Sequence, residues 1–455
     1  MNPIPPRRLV RQIGLLGVAS AIVVVALAGC SSNKSSSSSD GAFGFPEAKQ
    51  DKNSTITVWV DATRVPAVKA FEAANPSIHV KTVTYDGSAN GSNSFKTKMA
   101  LYDRAGKGWP DVVFSSQNND ASWSTRAVAG GQPFAARLDK GLIPSSTLSG
   151  FAKGALNPCT VSGAVYCLRN DLSQTVLWYN DTLLKQFGYT LPTTWEDYQA
   201  LGEKVAKEHP GYIVGSVGDT FTPEVLMWAS KCQANDVTGP RAVTVNTESP
   251  ECKRMAALID KLVADKSLTT LSVFTPDFVK QYTGKVLLMP GPAWYAGAIF
   301  NNKESLNVPP GQIGVGAPLA WGSDAPVAGN VGGGTWFISS HSANLAAAAK
   351  FAEFVTTADA YQVDVAPGYP AYAAAAAKWV AKQQGSGYFA TDMSALTTAA
   401  GQVWDGWGYP SYSQEAIWAK TMTPLLTAGK SIEDNLGAWG TAIKDQAQVA
   451  GYKVQ

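Results

Sequence analysis

The feature that most constrains the fold is an alternation of strand-like and helix-like segments in the first third of the chain. Ile56–Val60 alternates and is rich in β-branched residues, which predicts a first strand. The following segments predict, in chain order, a helix at 65–74, a strand at 78–85, an amphipathic helix at 95–105 and a strand at 112–114. This alternation is typical of a largely parallel sheet covered by helices, so we expect an α/β protein.

The same alternation continues beyond residue 170, where the helix starts carry clear capping signals. A predicted strand at 175–179 enters a helix at 181–187, and later strands are expected at 286–289, 313–318 and 336–338. Hydroxyl residues occupy the capping position of four predicted helices, and the last three of them precede proline: Thr194, Thr222, Ser249 and Thr275. A capping oxygen before proline at the first helical position is a strong helix-start signal.

The length of the chain indicates two domains, and its charge argues against nucleic acid as a partner. The folded part, from about residue 54 to the end, is roughly 400 residues and exceeds what one hydrophobic core usually serves. Only 16% of residues are charged, and the formal net charge is +2, or −1 without the three arginines near the N-terminus. Because there is no basic stripe and no acidic tail, nucleic acid is not an expected partner.

The N-terminus has the features of an export signal. Arginines at positions 7, 8 and 11 precede an apolar run at 13–28 that is short for a membrane span and ends in small residues. Residues 1–29 are therefore predicted to be a signal peptide.

A cysteine follows this signal directly. Leu27-Ala28-Gly29-Cys30 resembles a bacterial lipobox, which implies diacylglycerol attachment to Cys30; the alternative is an unlipidated signal peptide with a chance cysteine. Residues 30–54 begin with a serine-rich stretch that is predicted to be a flexible tether. The expected location is the extracellular face of the bacterial cell membrane, with the protein held to the membrane by its lipid anchor.

The four cysteines that remain fall into two local pairs. Cys159 and Cys167 flank a short turn, whereas Cys232 and Cys252 lie at the end of one predicted helix and the start of the next. An exported protein has the redox environment for disulfides, and local pairing is the economical choice among three connectivities. Free buried cysteines are the alternative.

A metal site is not expected from the histidines or the cysteine spacings. His79, His209 and His341 are well separated, and cysteine spacings of eight and twenty residues do not suit zinc. No cofactor is therefore predicted.

Five segments in order along the chain carry a resemblance to a known family. They are Phe71-Glu72-Ala73-Ala74-Asn75-Pro76-Ser77-Ile78-His79-Val80, Gly108-Trp109-Pro110-Asp111-Val112-Val113, Trp178-Tyr179-Asn180-Asp181 with Pro192-Thr193-Thr194-Trp195, Gly284-Lys285-Val286-Leu287-Leu288-Met289 with Gly291-Pro292-Ala293-Trp294, and Gly332-Gly333-Gly334 before Trp336. Together they resemble the extracellular solute-binding proteins of ABC-type importers, family 1, the maltose-binding-like group, in its lipoprotein form.

The resemblance implies a two-lobed, type II periplasmic-binding-protein-like α/β fold, in which each lobe is a mostly parallel sheet flanked by helices. By analogy, residues 55–155 and 326–375 form the N-terminal lobe, and residues 156–325 and 376–455 form the C-terminal lobe. Hinge crossovers would join the lobes, which would close on a solute. The resemblance further implies a monomer without enzymatic activity that delivers its solute to the transmembrane permease subunits.

Polar residues that follow the strands are the candidate ligand contacts, because ligands of open α/β sheets lie beyond the carboxyl ends of the strands. Asp61 and Arg64 follow the first strand, although a salt bridge in a solvated loop is an equal alternative. Gln117 and Asn118 follow the third strand in an uncharged, hydrogen-bonding run.

Further candidates lie near the expected crossovers and helix starts. Asp171 and Gln174 lie at the first crossover, where a structural hinge role competes equally with ligand contact. Asp219 precedes a helix start, so it is either a contact or an extra cap. Gly333 and Gly334 let the backbone approach a ligand closely, or simply bend the hinge.

Aromatic residues in loops are the expected stacking surfaces. Trp294 and Tyr295 follow a strand, where stacking on a ligand is favoured over apolar packing. Trp404, Trp407 and Tyr409 belong to a loop rich in glycine and aromatic residues, and Trp407 is its first-choice ligand contact.

Carbohydrate is the favoured solute, because sugars present C–H faces to aromatic rings and hydroxyls to polar side chains. One alternative is a surface-anchored glycoside hydrolase, which would draw two carboxylates from Asp61, Asp171, Asp219 and Asp405. Another is a binding protein for a polyamine, a peptide or a metal, although no acidic or histidine-rich cluster favours these solutes.

Overall fold

The computed structural model describes residues 41–86, 91–127 and 131–455, with residues 91–93 described by backbone alone. The predicted signal peptide, Cys30 and the first part of the tether lie outside the described residues. The strands are β1 Ile56–Val60, β2 Val80–Thr84, β3 Val112–Ser115, β4 Thr160–Val161, β5 Ala164–Val165, β6 Cys167–Arg169, β7 Asp171–Leu172, β8 Thr175–Asn180, β9 Gly215–Ser216, β10 Asp236–Gly239, β11 Ala242–Thr244, β12 Leu268–Thr269, β13 Leu288–Pro292, β14 Ile313–Gly316, β15 Thr335–Ile338, β16 Tyr369–Pro370 and β17 Lys453–Val454.

Helices separate these strands and cover the sheets. They are α1 Val65–Ala74, α2 Gly91–Ala105, α3 Ala121–Ser124, α4 Ser145–Ser149, α5 Asp181–Phe187, α6 Trp195–Glu208, α7 Pro250–Ala264, α8 Pro276–Tyr282, α9 Leu345–Thr357, α10 Asp359–Gln362, α11 Ala373–Gly385, α12 Ser394–Ala400, α13 Gln414–Thr421, α14 Thr423–Thr427 and α15 Leu436–Val449. Within the described residues, no helix is long and apolar enough to cross a membrane.

The first lobe is built on a five-stranded sheet in the order β2-β1-β3-β15-β6. β1 pairs parallel to β2 and to β3, as the sequence predicts, whereas β15 is antiparallel to both β3 and β6. α1 and α9 pack together beside this sheet, where the Phe71 ring meets the Phe351 ring edge-on at 4.9 Å. Burial of these large apolar rings is the main stabilising term for the layer.

The second lobe is built on a separate sheet in the order β13-β8-β14. β8 is antiparallel to both neighbours, so the expectation of a mostly parallel sheet does not describe these three strands. Parallel pairing appears beside them, between β9 and β12 and at the bridge from Ile213 to Val286. Two sheets, each with its own helices, confirm the predicted two-lobed α/β architecture.

The structure corrects two of the predicted lobe boundaries. β6, assigned by analogy to the C-terminal lobe, hydrogen-bonds to β15 in the first sheet, so the first lobe continues past residue 156. A boundary at 376 would divide α11, which packs through Trp379 against Tyr369 of β16. The chain therefore passes between the lobes at about residues 170–174, 317–334 and 386–388, which we call the crossing segments.

The predicted tether also needs correction, because its described second half is folded onto the first lobe. Phe45 is buried in the core. The Asp51 backbone N–H donates to the carbonyl of Ala343 at 2.7 Å, and Gln50 Oε1 accepts from the Leu345 backbone N–H at 2.9 Å. These contacts hold residues 41–54 against the N-terminal end of α9.

Three of the four predicted helix caps are confirmed, and one is wrong. Thr194, Ser249 and Thr275 each accept a hydrogen bond from the backbone N–H three residues later. Thr222 instead donates its hydroxyl to the carbonyl of Asp219, and the following Pro223–Met227 segment is a π-helical turn.

Both predicted disulfides are present in the structure. Cys159 bonds to Cys167 across the β4–β5 hairpin, and Cys232 bonds to Cys252 in the first turn of α7. Local pairing is therefore confirmed.

Replacing Thr194 with Ala should lower the free energy of unfolding by about 1 kcal/mol, because the first turn of α6 loses its capping acceptor. Thr194 Oγ1 accepts from the Asp197 backbone N–H at 3.0 Å. Thr441→Ala, at an exposed position of α15, is the matched control, and we expect a change within about 0.5 kcal/mol there. Urea denaturation of both variants measures the difference; equal losses would contradict the capping role.

Candidate functional site

A cleft of ≈ 1050 Å³ lies between the two lobes. Asp61, Arg64, Tyr85 and Gln117 line it from loops that follow the strands of the first sheet. Its other side is lined by aromatic residues that follow strands and turns of the second lobe. Concave sites with apolar walls and a few convergent polar groups are the usual binding sites of small molecules.

The second lobe contributes an aromatic wall, which we define as Phe221, Phe274 and Trp294. The rings of Phe274 and Trp294 stack at 6.0 Å with an interplanar angle of 18°. Phe221 meets the Trp294 ring edge-on at 5.7 Å. The Trp294 indole N–H donates to the carbonyl of Val331 at 3.1 Å, which fixes the ring. Phe274 remains 57% exposed, so this wall presents free ring surface to the cleft.

The first lobe contributes a polar wall, which we define as Asp61, Arg64, Tyr85 and Gln117. Arg64 Nη1 pairs with Asp61 Oδ2 at 3.3 Å, and its guanidinium lies over the Phe114 ring at 4.4 Å. The Tyr85 hydroxyl donates to the carbonyl of Phe114, and burial raises the pKa of this phenol, which stays neutral. The arginine and the aspartate are therefore held in fixed positions at the cleft surface.

The floor of the cleft is formed where two crossing segments meet. Asp171 Oδ1 accepts hydrogen bonds from the Gly334 backbone N–H at 2.8 Å and from Asn170 Nδ2 at 2.9 Å. Gly333 has φ +81°, and a Cβ there would lie 2.2 Å from Arg169 Nη2. Only glycine accommodates both that conformation and that approach, which explains the glycine run.

Beside the floor, a smaller space of ≈ 30 Å³ opens off the cleft, and we call it the side pocket. It shares Gln117, Gly332 and Glu415 with the cleft lining. Burial raises the pKa of Glu415 to about 7. The neighbouring Glu224 also has a raised pKa, because it is buried and lies near the charge of Glu415.

Half of the predicted contacts line the cleft. These are Asp61, Arg64, Gln117, Asp171, Trp294, Gly333 and Gly334. They come from both lobes and from the crossing segments, so the rule that ligands lie beyond strand ends selected residues that share one cleft.

Other predicted contacts lie in the side pocket or elsewhere. Asn118, Trp407 and Tyr409 line the side pocket rather than the cleft. Gln174 is buried, and its Nε2 donates to the carbonyl of Leu396 at 2.8 Å. Tyr295 is buried behind Trp294, with the two rings 4.8 Å apart.

Two remaining candidates have structural partners of their own. The Trp404 carbonyl accepts the indole N–H of Trp228, and the Trp404 ring is packed against the core. Asp219 accepts hydrogen bonds from the Ser272 hydroxyl and, at 3.2 Å, from the Val273 backbone N–H. Neither residue belongs to the cleft lining.

Trp407 was the first choice for ligand contact in the aromatic loop, and the structure corrects that placement. Its side chain is 1% exposed, and its ring stacks on Trp228 at 5.0 Å. Its indole N–H donates to the carbonyl of Cys232 at 2.6 Å. Glycines around a tryptophan predicted a loop correctly, but the loop folds inward and its ring packs in the second lobe.

The cleft residues that sequence reasoning missed include Tyr85, Phe221, Phe274 and Glu415. Phe274 stands directly before the Thr275-Pro276 helix start, so an aromatic residue in a defined turn was the available signal. Glu415 lies in the first turn of α13. The residues around it in the sequence give no sign that it lines a cleft, because its neighbour in the structure, Glu224, is distant in sequence.

No group of three or more His, Cys, Asp or Glu side chains in the described part of the chain is arranged to hold a metal ion.

Two α/β lobes joined by crossing segments around one large cleft define the class of two-lobed solute-binding folds. The family profile of bacterial extracellular solute-binding proteins matches residues 54–384, and the chain belongs to this family. The "Multiple sugar-binding protein" of Streptococcus mutans is 25% identical over 462 residues, which cover 95% of this chain and 98% of that protein.

Solved structures show the same fold. The galacto-N-biose-/lacto-N-biose I-binding protein of Bifidobacterium longum aligns with a TM-score of 0.71 at 20% identity, covering 90% of this chain and 100% of that chain. The ABC transporter associated binding protein of B. animalis subsp. lactis Bl-04 aligns with a TM-score of 0.70 at 20% identity, covering 88% and 99%. The predicted type II binding-protein fold is confirmed.

Asp219→Asn should remove a pH-dependent loss of stability. Burial raises the pKa of Asp219 from 3.8 to about 6, so the folded state binds this proton more tightly than the unfolded state. Stability then falls as pH rises between these values, by about 2–3 kcal/mol from this one group.

Urea denaturation between pH 4 and pH 7 measures this effect. The unfolding free energy of the Asp219→Asn variant minus that of the unmodified protein should increase as pH rises. Asp445→Asn, at an exposed position of α15, should show no such trend. Parallel curves of unfolding free energy against pH for Asp219→Asn and the unmodified protein would contradict the raised pKa of Asp219.

Proposed function

We propose that this protein is the extracellular solute-binding component of an ABC importer and that it binds a carbohydrate in the cleft between its lobes. The main observation behind the proposal is that the aromatic wall and the polar wall line the same cleft, whose volume is ≈ 1050 Å³.

Each wall suits one part of a sugar. The stacked rings of Phe274 and Trp294 offer a flat apolar surface for the C–H face of a pyranose. Asp61 and Arg64 offer an acceptor and a donor to hydroxyl groups, which must be paired when they leave water. The cleft volume exceeds the need of a monosaccharide and favours an oligosaccharide.

The relatives support the same solute class. The full-length relative from Streptococcus mutans is named for binding sugars, and the two solved structures hold lacto-N-biose and beta-1,6-galactobiose. Membership of the extracellular solute-binding family supports a transport role.

Two of the carboxylates that the hydrolase alternative would use line the cleft and are engaged by protein groups. Asp61 is paired with Arg64, and Asp171 accepts from the backbone of Gly334. A glycosidase needs one carboxyl free to protonate the leaving oxygen and a second one to attack or to activate water. Family membership, together with the engagement of these two carboxylates, supports a binding protein, and we infer that the protein is not an enzyme.

The rest of the proposal concerns where and how the protein works. The lipobox-like Leu27-Ala28-Gly29-Cys30 supports a lipid anchor on the extracellular face of the membrane, which would keep a monomer close to its permease subunits. Ligand contacts from both lobes would favour a closed arrangement about the crossing segments. The closed form would then deliver the sugar to the permease.

A calorimetric screen of neutral mono- and oligosaccharides and sugar alcohols tests the proposal. We expect one-to-one binding of at least one sugar, with no shorter product on chromatography. Trp294→Ala should then weaken binding about 10- to 100-fold, because a buried aromatic contact is lost at the centre of the site.

Trp109→Ala is the matched control. Trp109 is also half-buried and stacked, on the His341 ring at 3.7 Å, but it does not line the cleft. Its replacement should leave the affinity within about twofold of the unmodified protein. Sugar cleavage would refute the transport role, and equal affinities of the two variants would refute the aromatic wall as the binding surface.

A further inference from the structure

The side pocket has the size of a single small polar group. Its volume is ≈ 30 Å³, which is enough for a water-sized group, since a cavity needs roughly 10–15 Å³ to hold one water molecule. It shares Gln117, Gly332 and Glu415 with the cleft lining, so it adjoins the space in which a solute of the cleft would lie. The chemistry of its lining therefore bears on which solute the cleft accepts.

Two hydrogen bonds in this lining leave one buried acceptor atom, on Gln414, without a donor. Asn235 Nδ2 donates to the carbonyl of Trp407 at 2.7 Å, and Gln414 Nε2 donates to Asn235 Oδ1. These two bonds fix the orientation of both amides, which leaves Gln414 Oε1 as a buried acceptor without a partner.

Glu224 provides a second unsatisfied acceptor. The residue is 8% exposed, and its Oε2 is buried without a hydrogen-bond partner. An unpaired buried carboxyl oxygen is costly, so the site calls for a donor. Burial raises the pKa of Glu224 and of Glu415, and the nearby charge of Glu415 raises the pKa of Glu224 further.

Aromatic side chains form part of the remaining lining of the side pocket, beside Gln117, Asn118, Asn119, Pro410 and Ser413. Trp228 and Trp407 stack at 5.0 Å, and Tyr409 and Tyr412 also line the pocket. Among the described residues that line it, none is Lys, Arg or His. Carboxyls and aromatic rings together are the combination that recognises ammonium groups.

We propose that the side pocket binds a protonated amino group of the solute, so that the carbohydrate taken by this protein is an amino sugar. The inference rests on the proposed function, because the sugar ring is placed by the aromatic wall of the cleft. The ammonium would donate to Glu224 Oε2, to Gln414 Oε1 and to Glu415, which satisfies the acceptors that the fold leaves open.

Titration calorimetry with matched sugars tests this inference. The probes are glucosamine and its β-1,4-linked dimer, against glucose, cellobiose and the N-acetylated dimer. We expect the amino form to bind at least about 10-fold tighter than its neutral counterpart. Glu224→Gln and Glu415→Gln should each bring this ratio close to one, whereas Glu72→Gln, at an exposed position of α1, should not change it.

The controls separate this inference from the proposed function. Equal binding of neutral and amino sugars would overturn the amino-sugar inference and leave carbohydrate binding intact. Binding of spermidine without binding of any sugar would overturn both the amino-sugar inference and the proposed carbohydrate binding. Thermal stabilisation by ammonium or potassium chloride that depends on Glu415, with no preference for amino sugars, would make the pocket an inorganic cation site and overturn the inference.

Discussion

The close approach of two crossing segments at Asp171 and Gly334 is the constraint on which the rest of the structure depends. The Gly334 backbone donates to Asp171 Oδ1 at 2.8 Å, and the buried guanidinium of Arg169 donates to the carbonyl of Gly332 at 2.9 Å. These bonds hold together the segments that pass between the lobes. Because they also form the cleft floor, the geometry of the site follows from the geometry of the hinge.

The cleft combines two kinds of wall because each lobe supplies one kind. The first lobe presents polar side chains after its parallel strands, while the second presents Trp294 and Phe274 as a stacked pair. A solute that touched both walls would gain all of its contacts only with the lobes together, so its binding would favour closure. The side pocket adds carboxyl and aromatic groups at one end of this arrangement.

Sequence predicted the features that depend on local interactions. Strand and helix alternation, the caps at Thr194 and Ser249 and both short-loop disulfides are set by neighbouring residues. Trp294 lines the cleft, as expected of a residue that closely follows a strand. Trp407 was misplaced because its burial depends on Trp228, which local sequence does not reveal. The Glu224–Glu415 pair is invisible to sequence reasoning for the same reason.

Ligand-driven closure is tested most directly by the distance between the lobes. Residues 41–455 contain no cysteine outside the two disulfides, so Lys69→Cys in α1 and Lys280→Cys in α8 allow specific spin labelling of exposed sites. Double electron–electron resonance should show the mean distance between labels shorten when a saturating sugar is added. An unchanged distance distribution with the sugar bound would contradict the account.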